Sequence, residues 1–535
     1  MGTITNTTRK ARACIASLMM GVAAVPAVLA VVVPTALEAQ QFPIFRQALA
    51  EGVAENRALS AFYRETGYAT LWTGAEDAAR RTALVSALSR ASEHGLPAQR
   101  YNLQGLLDAF ASVETERDRA LLEARASLTF LQYARDIHSG VLEPGQIIED
   151  IVRDLPRPDP ARLMRDFAAA EPVSFIRNLA PHAPEYARLY RARAELERTI
   201  AAGGWGPQVQ SGSLAPGDTG PGVVQLRNRL IAMGYMPRVA TARYDGAMQR
   251  AVQDFQAAHG IEADGVAGQA TIRAINVEPQ ARLRSVTVAM ERERWLNIPR
   301  GDRHVWVNLV DFVVRLVDFD EVTFETRSVV GAQATQTPEF SDTMEYMEIN
   351  PDWTLPRSIV ANYWGALASG GAGHLQLIDA RGQVVPREYV DFASYSPNTL
   401  PFEVRQPPGP GNALGEVKFM FPNPHAIYLH DTPSRNLFSH TVRAYSAGCV
   451  RLADPRGFAY ALLARQEADP VTFYHSIQRT GQQTRVSLAT PIPIHLEYRT
   501  AYTSVDGRMN YRADVYGRDE RLYQALIRAG VETGA

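Results

Sequence analysis

The chain has 535 residues, of which 46% are hydrophobic and 21% charged, with 55 basic against 57 acidic side chains. This length exceeds what one hydrophobic core can organise, so roughly two to four domains are expected. The composition is that of a globular protein rather than a disordered or multi-span membrane protein, and the balanced charge does not suggest a nucleic-acid binder.

Residues 1–39 have the pattern of an export signal or N-terminal membrane anchor. A basic cluster at 9–12 precedes an apolar run over about 13–33, and a small residue, Ala39, ends the segment. The run approaches the length that spans a bilayer, so cleavage after Ala39, which we favour, and retention as an inner-membrane anchor both fit it. Because positive charges stay inside, the rest of the chain is predicted to be periplasmic.

Cysteine usage narrows the possible chemistry. The chain has two cysteines, Cys14 within the export segment and Cys449, so the exported part has one thiol and no internal disulfide. A lone thiol in an oxidising compartment is a liability unless it is used or hidden. The alternative is that Cys449 is a buried, inert cysteine, and only the sequence around it can favour a reactive role.

Residues 40–202 predict an α-helical scaffold domain, because apolar residues recur three and four positions apart, as in 82–91 and 122–137. No chemistry is visible in it. Residues 203–213 are predicted to be a linker, since the surrounding Gly/Pro/Ser-rich stretch to 222 has the composition of a flexible spacer.

Residues 214–277 predict a compact unit of three helices, the third from Gln269 to about Ile275. The apolar faces of the first two helices are formed by Val223, Leu226 and Leu230, and by Met248, Val252 and Phe255. The unit resembles the small peptidoglycan-binding module at Gly234-Tyr235, Tyr244-Asp245, Phe255-Gln256, Asp264-Gly265 and Gly268 with Thr271. The resemblance leaves open whether the unit binds cell wall or acts as a spacer.

A connecting helix at 278–302 leads to a β-rich domain at 303–480, followed by a C-terminal extension, 481–535, expected to pack on the scaffold or on the β-rich domain. Alternating or β-branched runs predict strands at 305–309, 313–319, 323–330, 416–421 and 426–429. A helical, then glycine-rich stretch at about 358–400 interrupts them, which we interpret as an inserted flap. The predicted fold class is multidomain α+β.

The segment 426–455 has the residues of a cysteine acyltransferase. Such an enzyme needs a base for the thiol proton, a partner that orients this base, and backbone donors for the oxyanion. His430 ends an apolar strand and is the predicted base of Cys449. Gly448 precedes the cysteine, where a missing Cβ lets a substrate carbonyl approach the backbone.

These motifs resemble the L,D-transpeptidase catalytic domain of the YkuD type, which pairs an H-x-T element with Ser-x-Gly-Cys-x-Arg. The chain supplies His430-Asp431-Thr432 and 446–451, with Ala447 where many members have His. The domain order and this departure resemble the large, scaffold-bearing YcbB-type subgroup. Further matches are Met290 through Trp295, Val330-Gly331, Thr337-Pro338, Asn350-Pro351, Arg405-Gln406-Pro407, Asn412 through Gly415, Lys418-Phe419 and Tyr511 to Asp519.

The resemblance implies a peptidoglycan L,D-transpeptidase. Cys449 would attack the diaminopimelate–D-Ala bond of a tetrapeptide stem, form a thioester and pass the acyl group to an amine of a second stem, giving a 3→3 cross-link. His430 would be the base. Predicted oxyanion or substrate-binding residues are Gly448, Ser446, Arg451 and Tyr428. No metal or cofactor is implied, and the partners are stem peptides and glycan strands.

For several residues a structural role remains open. Arg451 fits a substrate carboxylate or a salt bridge equally well, and Tyr428 fits substrate contact or core packing. Asp431 should point away from His430, so a backbone carbonyl is a candidate to orient the imidazole. His440 is a lesser rival as the base.

Three other functions remain as alternatives. With water as acceptor, the same Cys/His site gives an L,D-carboxypeptidase or cross-link hydrolase. A zinc amidase would need His and carboxylate ligands at a spacing that the chain lacks. A non-enzymatic wall scaffold would not need both Cys449 and His430. The acceptor, protein partners and oligomeric state are not determined by the sequence.

Overall fold

The computed structural model describes residues 36–504 and 507–532. The predicted export segment, 1–39, therefore falls almost wholly outside the described residues, together with Cys14. Among the helices that are described, none is both long enough and apolar enough to cross a membrane.

The predicted scaffold forms a helical domain with its own apolar core. Trp72 and Phe130 both stack on Phe167, with ring centroids 5.2 and 4.5 Å from it. The buried carboxylate of Glu123 accepts the backbone N–H groups of 71–73, which fixes the chain beside this core. The helices are α1 Ala36–Gly52, α2 Arg57–Glu65, α3 Ala78–Ser89, α4 Leu103–Ala111, α5 Glu116–Ser139, α6 Pro144–Ile147, α7 Pro160–Ala169, α8 Pro172–Arg177 and α9 Pro184–Ala201.

The predicted three-helix unit is present, with helices α10 Pro221–Ala232, α11 Gly246–Ala258 and α12 Gln269–Ile275. The apolar residues predicted for the first two helix faces form its core. The preceding linker differs from the flexible spacer that its composition predicts. Val209 is only 3% exposed and lies in this core, and Trp205 packs on the scaffold, because each apolar side chain finds a neighbouring core to bury it.

The connecting helix, α13 Pro279–Trp295, is buried among the other parts of the molecule. Glu291 accepts the backbone N–H groups of Val141 and Leu142 and binds Arg294. Arg292 binds Glu339 and Asp519, which lie in the β-rich domain and the C-terminal segment. We call the set Glu291, Arg292, Glu293, Arg294, Glu339, Arg499, Arg518 and Asp519 the α13 ion network.

Most strands of the described chain form one curled sheet of nine strands in the order β11-β3-β12-β10-β9-β4-β13-β1-β2, with β2 also paired to β3. The strands are β1 Arg303–Asn308, β2 Val313–Asp318, β3 Glu321–Gly331, β4 Phe340–Ile349, β5 Trp353–Thr354, β6 Gln376–Ile378, β7 Val384–Val385, β8 Glu403–Gln406, β9 Val417–Met420, β10 Leu429–His430, β11 Ala444–Ser446, β12 Val450–Leu452, β13 Thr484–Glu497, β14 Ala501–Thr503 and β15 Met509–Tyr511.

The predicted boundary at residue 480 is wrong, because β13 is an inner strand of the sheet between β4 and β1. Pro491 and Pro493 lie within this strand, and prolines argue against a central strand when only the sequence is read. Its pairing with β4 is irregular between Ser487 and Ile492, where Pro491 lies, and Pro493 lies opposite Thr343 in the register that follows. Only the part after β13 behaves as the predicted extension.

The remaining helices are α14 Arg357–Ala368, α15 Pro455–Leu463, α16 Pro470–Gln478 and α17 Arg518–Arg528. Phe458 of α15 packs on Phe419 of β9 with ring centroids 4.8 Å apart, so this helix covers one face of the sheet. Helix α17 packs on α13 and α6. The C-terminal segment therefore lies against both scaffold and connecting helix.

The inserted flap is a small subdomain of its own. Strands β5, β8, β6 and β7 form a separate sheet, and α14 packs with it around Leu355, Val360, Leu377 and Val404. The flap is rooted in the β-rich domain through β5, which directly follows β4. Helix α14 matches the helical pattern predicted near its start.

Candidate active site

The alternation of two neighbouring strands places four predicted site residues on one face of the sheet. Strands β10 and β12 pair in parallel, with Leu429 opposite Val450 and His430 opposite Arg451. Leu429 and Val450 face the apolar core. Because side chains alternate along a strand, His430, Arg451 and the flanking Tyr428 and Cys449 lie on the other face.

The Cys449 thiol is partly exposed and has polar neighbours. Its sulfur donates to the carbonyl of Ala426 at 3.6 Å, and both the hydroxyl and the backbone N–H of Tyr428 lie within hydrogen-bonding reach of it. Burial raises the pKa of Cys449 to about 11, although the Tyr428 donors and the charge of Arg451 favour the thiolate. At neutral pH the group is therefore a thiol.

The carbonyl of Ala426 is held in place by an irregular loop. Ala426 has φ +54°, in the left-handed region that alanine rarely adopts. Asn423 fixes this loop, because its amide donates to the carbonyls of Phe421 and Ile427 and accepts from the N–H of Ile427. The predicted strand at 426–429 is consequently shortened to Leu429–His430.

His430 is 4% exposed and is oriented by a main-chain group. Its Nδ1 lies 2.5 Å from the carbonyl oxygen of Asp431, and since a carbonyl only accepts, Nδ1 carries the proton and Nε2 a lone pair. Burial, followed by the charge of Arg451, lowers the pKa of His430 to about 3, so the ring is neutral at pH 7. Within the described residues, His430 makes no hydrogen bond to Cys449.

The carboxylate of Asp431 points away from the imidazole, as the strand alternation predicts. It accepts the backbone N–H of Glu416 at 2.9 Å and pairs with Arg435 at 3.3 Å. Gly415, with φ +66°, leaves room for this carboxylate, because a Cβ there would lie 2.1 Å from a carboxylate oxygen of Asp431. Asp431 thus contributes its carbonyl to His430 and uses its side chain to fix that carbonyl.

A tight turn precedes Cys449 and changes the role expected of Gly448. The Ser446 hydroxyl accepts the N–H of Gly448 at 3.1 Å and donates to the carbonyl of Cys449. Gly448 has φ +125°, which favours glycine. Its N–H is thus engaged in the turn, whereas the N–H of Cys449 has no partner among the described residues and stays a candidate oxyanion donor.

Arg451 is a half-buried cation without a counterion. No hydrogen bond or ion pair of the Arg451 side chain is found in the described part of the chain, and its Nε is buried without a partner. The salt bridge considered as its alternative role is therefore not observed. Lys418, opposite His430 on β9, is by contrast paired with Glu348 at 2.6 Å. The site has one uncompensated positive charge that an anion could neutralise.

Tyr428 lies between Cys449 and the flap. Its ring centroid lies 5.6 Å from that of His430, and its hydroxyl lies near both Trp353 in β5 and Cys449. Burial raises the pKa of Tyr428 above its ordinary range, so the hydroxyl keeps its proton. Simple core packing does not describe a side chain with these polar contacts.

Segments that are distant in sequence stabilise the turn before Cys449 through hydrogen bonds. The Thr337 hydroxyl donates to the carbonyl of Gly448 at 2.7 Å and accepts the N–H of Gly331 at 2.9 Å. From the C-terminal segment, Tyr516 donates to the carbonyl of Gly331 at 2.6 Å, and Arg518 to that of Thr337 at 2.9 Å. Thr337 and the 511–519 segment belong to the family-like motifs, but no local pattern predicts that they meet at Gly448.

The other histidines considered lie apart from this arrangement. His440 is exposed and contacts the hydroxyl of Tyr445 at 3.3 Å, while the ring of His425 packs 5.1 Å from that of Phe340. Among the described residues, no three or more His, Cys, Asp or Glu side chains come together as metal ligands.

Comparisons with known proteins agree with this organisation. Three family models match successive parts of the chain: "Scaffold domain" at 57–193, "Putative peptidoglycan binding domain" at 219–275 and "L,D-transpeptidase catalytic domain" at 302–486. The chain thus combines regions similar to a scaffold domain, a peptidoglycan-binding domain and an L,D-transpeptidase catalytic domain.

A curated relative from Haemophilus influenzae named "Putative L,D-transpeptidase" is 28% identical over 245 residues, which are 45% of this chain and 49% of the relative. The chain thus spans about half the length of that relative. The match to the catalytic family model ends at 486, just inside β13, which continues the sheet beyond it.

Solved L,D-transpeptidase structures from Xylanimonas cellulosilytica and Stackebrandtia nassauensis are 17% and 13% identical and each covers 55% of this chain. In both cases 98% of the solved chain is covered, with TM-scores of 0.18 and 0.23. We draw nothing from these two overlays. The similarity to L,D-transpeptidases rests on the family-model matches and the curated relative.

Proposed function

We propose that the L,D-transpeptidase domain transfers acyl groups between peptidoglycan stem peptides, with Cys449 as nucleophile and His430 as base. One observation carries the proposal. The thiol, a neutral imidazole with a free Nε2 and the unpaired cation Arg451 lie on the same face of adjacent strands. This set can activate a thiol and attract a peptide that carries a carboxylate.

In the first step, the thiol turns from the Ala426 carbonyl toward His430, and Nε2 takes its proton as the sulfur attacks the diaminopimelate carbonyl. Because thiol and imidazole are both neutral at rest, proton transfer accompanies attack and no ion pair is stored. The N–H of Cys449 is positioned to donate to the oxyanion. The C–N bond breaks, the imidazolium protonates the leaving D-Ala amine, and a thioester remains.

In the second step, the amine of a second stem attacks the thioester carbonyl. His430 takes a proton from that amine, and the sulfur leaves and is protonated, which restores the thiol. The product is a 3→3 cross-link. Water in place of the amine would give a carboxypeptidase, and the flap, whose Trp353 reaches Tyr428, is the element positioned to select the acceptor.

The place of action follows from the substrate. Peptidoglycan lies outside the cytoplasmic membrane, and the peptidoglycan-binding and catalytic domains support an extracytoplasmic enzyme. The basic and apolar N-terminal segment supports export to the periplasm, whether it is cleaved or kept as an anchor.

The test is incubation of the exported chain with disaccharide tetrapeptides, analysed by mass spectrometry. We expect a dimer that has lost one D-Ala. Cys449→Ala should abolish it, and His430→Ala should lower its rate by about 10²–10⁴. His440→Ala is the matched control and should retain activity. Tripeptide without dimer would favour the carboxypeptidase, and activity that survives Cys449→Ala would overturn the proposal.

A further inference from the structure

A groove lies away from Cys449, where the scaffold, the peptidoglycan-binding module and the C-terminal hairpin meet. It encloses about 710 Å³, a volume in the range of small-molecule and short-peptide sites. Its walls include Arg191 of α9, Trp205 of the linker, Tyr235 of the module, Arg282 of α13 and Tyr511 of β15. We call this cavity the junction groove.

Aromatic rings hold the walls of the junction groove together. His259 stacks between Phe255, at 3.9 Å, and Tyr511, at 5.6 Å, which joins the module to the hairpin. Arg282 lies over the ring of Tyr511 with its Cζ 4.3 Å from the centroid. Because the packing contacts cross between the domains, the shape of the groove is preorganised rather than created by a ligand.

The lining of the junction groove is positively charged. Four arginines, Arg188, Arg191, Arg282 and Arg508, face one carboxylate, Glu195. The wall residue His259 adds no charge at pH 7, because burial lowers its pKa to about 3.

Two of these arginines lack a carboxylate. Arg191 donates only to the Ala187 carbonyl at 3.2 Å, and Arg282 to that of Ala274 at 3.1 Å. In the described part of the chain, neither forms an ion pair. Guanidinium groups beside aromatic rings can bind carboxylates while apolar groups of the ligand cover the rings.

We propose that the junction groove binds the acidic stem peptide of uncross-linked peptidoglycan, as a second wall-binding site besides that of Cys449. The inference rests on the proposed function for the substrate. A stem peptide combines several carboxylates with small alanine methyl groups, which matches arginines set between Trp205, Tyr235 and Tyr511. The recognition unit is therefore the junction of three parts of the chain, and not the module alone.

The test uses the full exported chain with Cys449→Ala, so that the ligand is not consumed. The probe is a disaccharide tetrapeptide with a photoreactive diazirine on the sugar, and labelled peptides are mapped by mass spectrometry. We expect labels in 188–205 or 507–511. The same diazirine disaccharide without its peptide should label these segments at least about tenfold less, since it lacks the carboxylates.

Two charge reversals on one helix give a matched comparison. Arg191→Glu should weaken binding of the tetrapeptide to the groove roughly tenfold or more. Arg198→Glu should leave it unchanged, because Arg198 is likewise exposed, likewise bonded to the carbonyl four residues before it, and absent from the groove lining. Equal circular dichroism melts of the two variants would exclude misfolding as the cause.

Three results would overturn the inference: no labelling of the groove segments, equal labelling by the peptide-free sugar, or equal binding by the two variants. Cross-linking by the unmodified chain is measured separately. Cross-linking without groove labelling would refute this inference and leave the proposed function standing. Groove labelling without cross-linking would support this inference and count against the catalytic proposal.

Discussion

Buried or half-buried arginines occur in two regions of the chain, and the regions differ in whether a carboxylate neutralises the charge. In the α13 ion network, Arg292 lies between Glu339 and Asp519, and Arg294 pairs with Glu291 at 2.9 Å. On the catalytic face, Arg451 is half-buried and has no anion among the described residues. A compensated buried charge stabilises the contact between domains, whereas an uncompensated one is available for a ligand.

The same contrast appears in the pKa values. Burial opposes the charge of Arg292, but Glu339 and Asp519 outweigh it and hold the pKa above its ordinary value. Burial dominates at Arg451, where only Cys449 acts in the opposite direction, and the pKa lies below its ordinary value. The charge of Arg292 is therefore neutralised within the protein, whereas the charge of Arg451 is available to an anionic ligand.

The largest effect is expected from removing a compensated charge. Arg292→Ala leaves Glu339 and Asp519 with one cation fewer, so we expect a loss of about 3–5 kcal/mol in the free energy of unfolding. Urea unfolding followed by circular dichroism measures it. Arg284→Ala, on the exposed side of α13 over Tyr523, is the control and should cost below about 1 kcal/mol. Equal losses of unfolding free energy in Arg292→Ala and Arg284→Ala would contradict the special role of the paired charge.

On the sheet face that carries Cys449, no anion balances Arg451. We expect the environment of this face to appear in how the reactivity of the Cys449 thiol depends on pH. With a pKa of about 11, the thiolate fraction rises as pH rises toward that value. Iodoacetamide alkylation should therefore increase roughly tenfold per pH unit between pH 7 and 10. Mass spectrometry of the labelled peptide follows it. A plateau below pH 9 would mean that the thiol is already activated in the free protein.

Truncating the unpaired cation should separate substrate binding from stability. Arg451→Ala removes a charge-assisted contact of about 1.5–3 kcal/mol with a stem carboxylate, so kcat/KM should fall about 10- to 100-fold. Its unfolding midpoint in urea should equal or exceed that of the unmodified chain, because no ion pair is lost. A large stability loss with unchanged kcat/KM would assign Arg451 a structural role.

A smaller effect is expected at Tyr428. Tyr428→Phe keeps the ring beside His430 but removes the hydroxyl near Cys449 and Trp353. Loss of one hydrogen bond, about 0.5–1.5 kcal/mol, should reduce alkylation at pH 8 by a factor of about 2 to 10. Tyr445→Phe, on an exposed hydroxyl that contacts His440, is the control. Faster alkylation in Tyr428→Phe would show that the hydroxyl shields the thiol instead.

Much of the fold could be predicted where it depends on local patterns. Helix α12, Gln269–Ile275, and the flap helix lie where local sequence patterns predict them. Strand β13 cannot be predicted locally, because Pro491 and Pro493 resemble a chain break and its pairing with β4 and β1 is a long-range property. Val209 lies in the predicted linker, and its burial cannot be predicted locally because the core that buries it is formed by residues elsewhere in the sequence.

For the site, the sequence by itself determined the choice of Cys449 and His430 as candidates, the turn glycine and their strand alternation, because these depend on residue type and short spacing. Only the tertiary structure decided that Ser446 occupies the N–H of Gly448, that Thr337 braces the turn, and that Arg451 lacks a counterion. The physical reason is that hydrogen bonding and charge compensation depend on which distant segments meet. No local pattern contains that information.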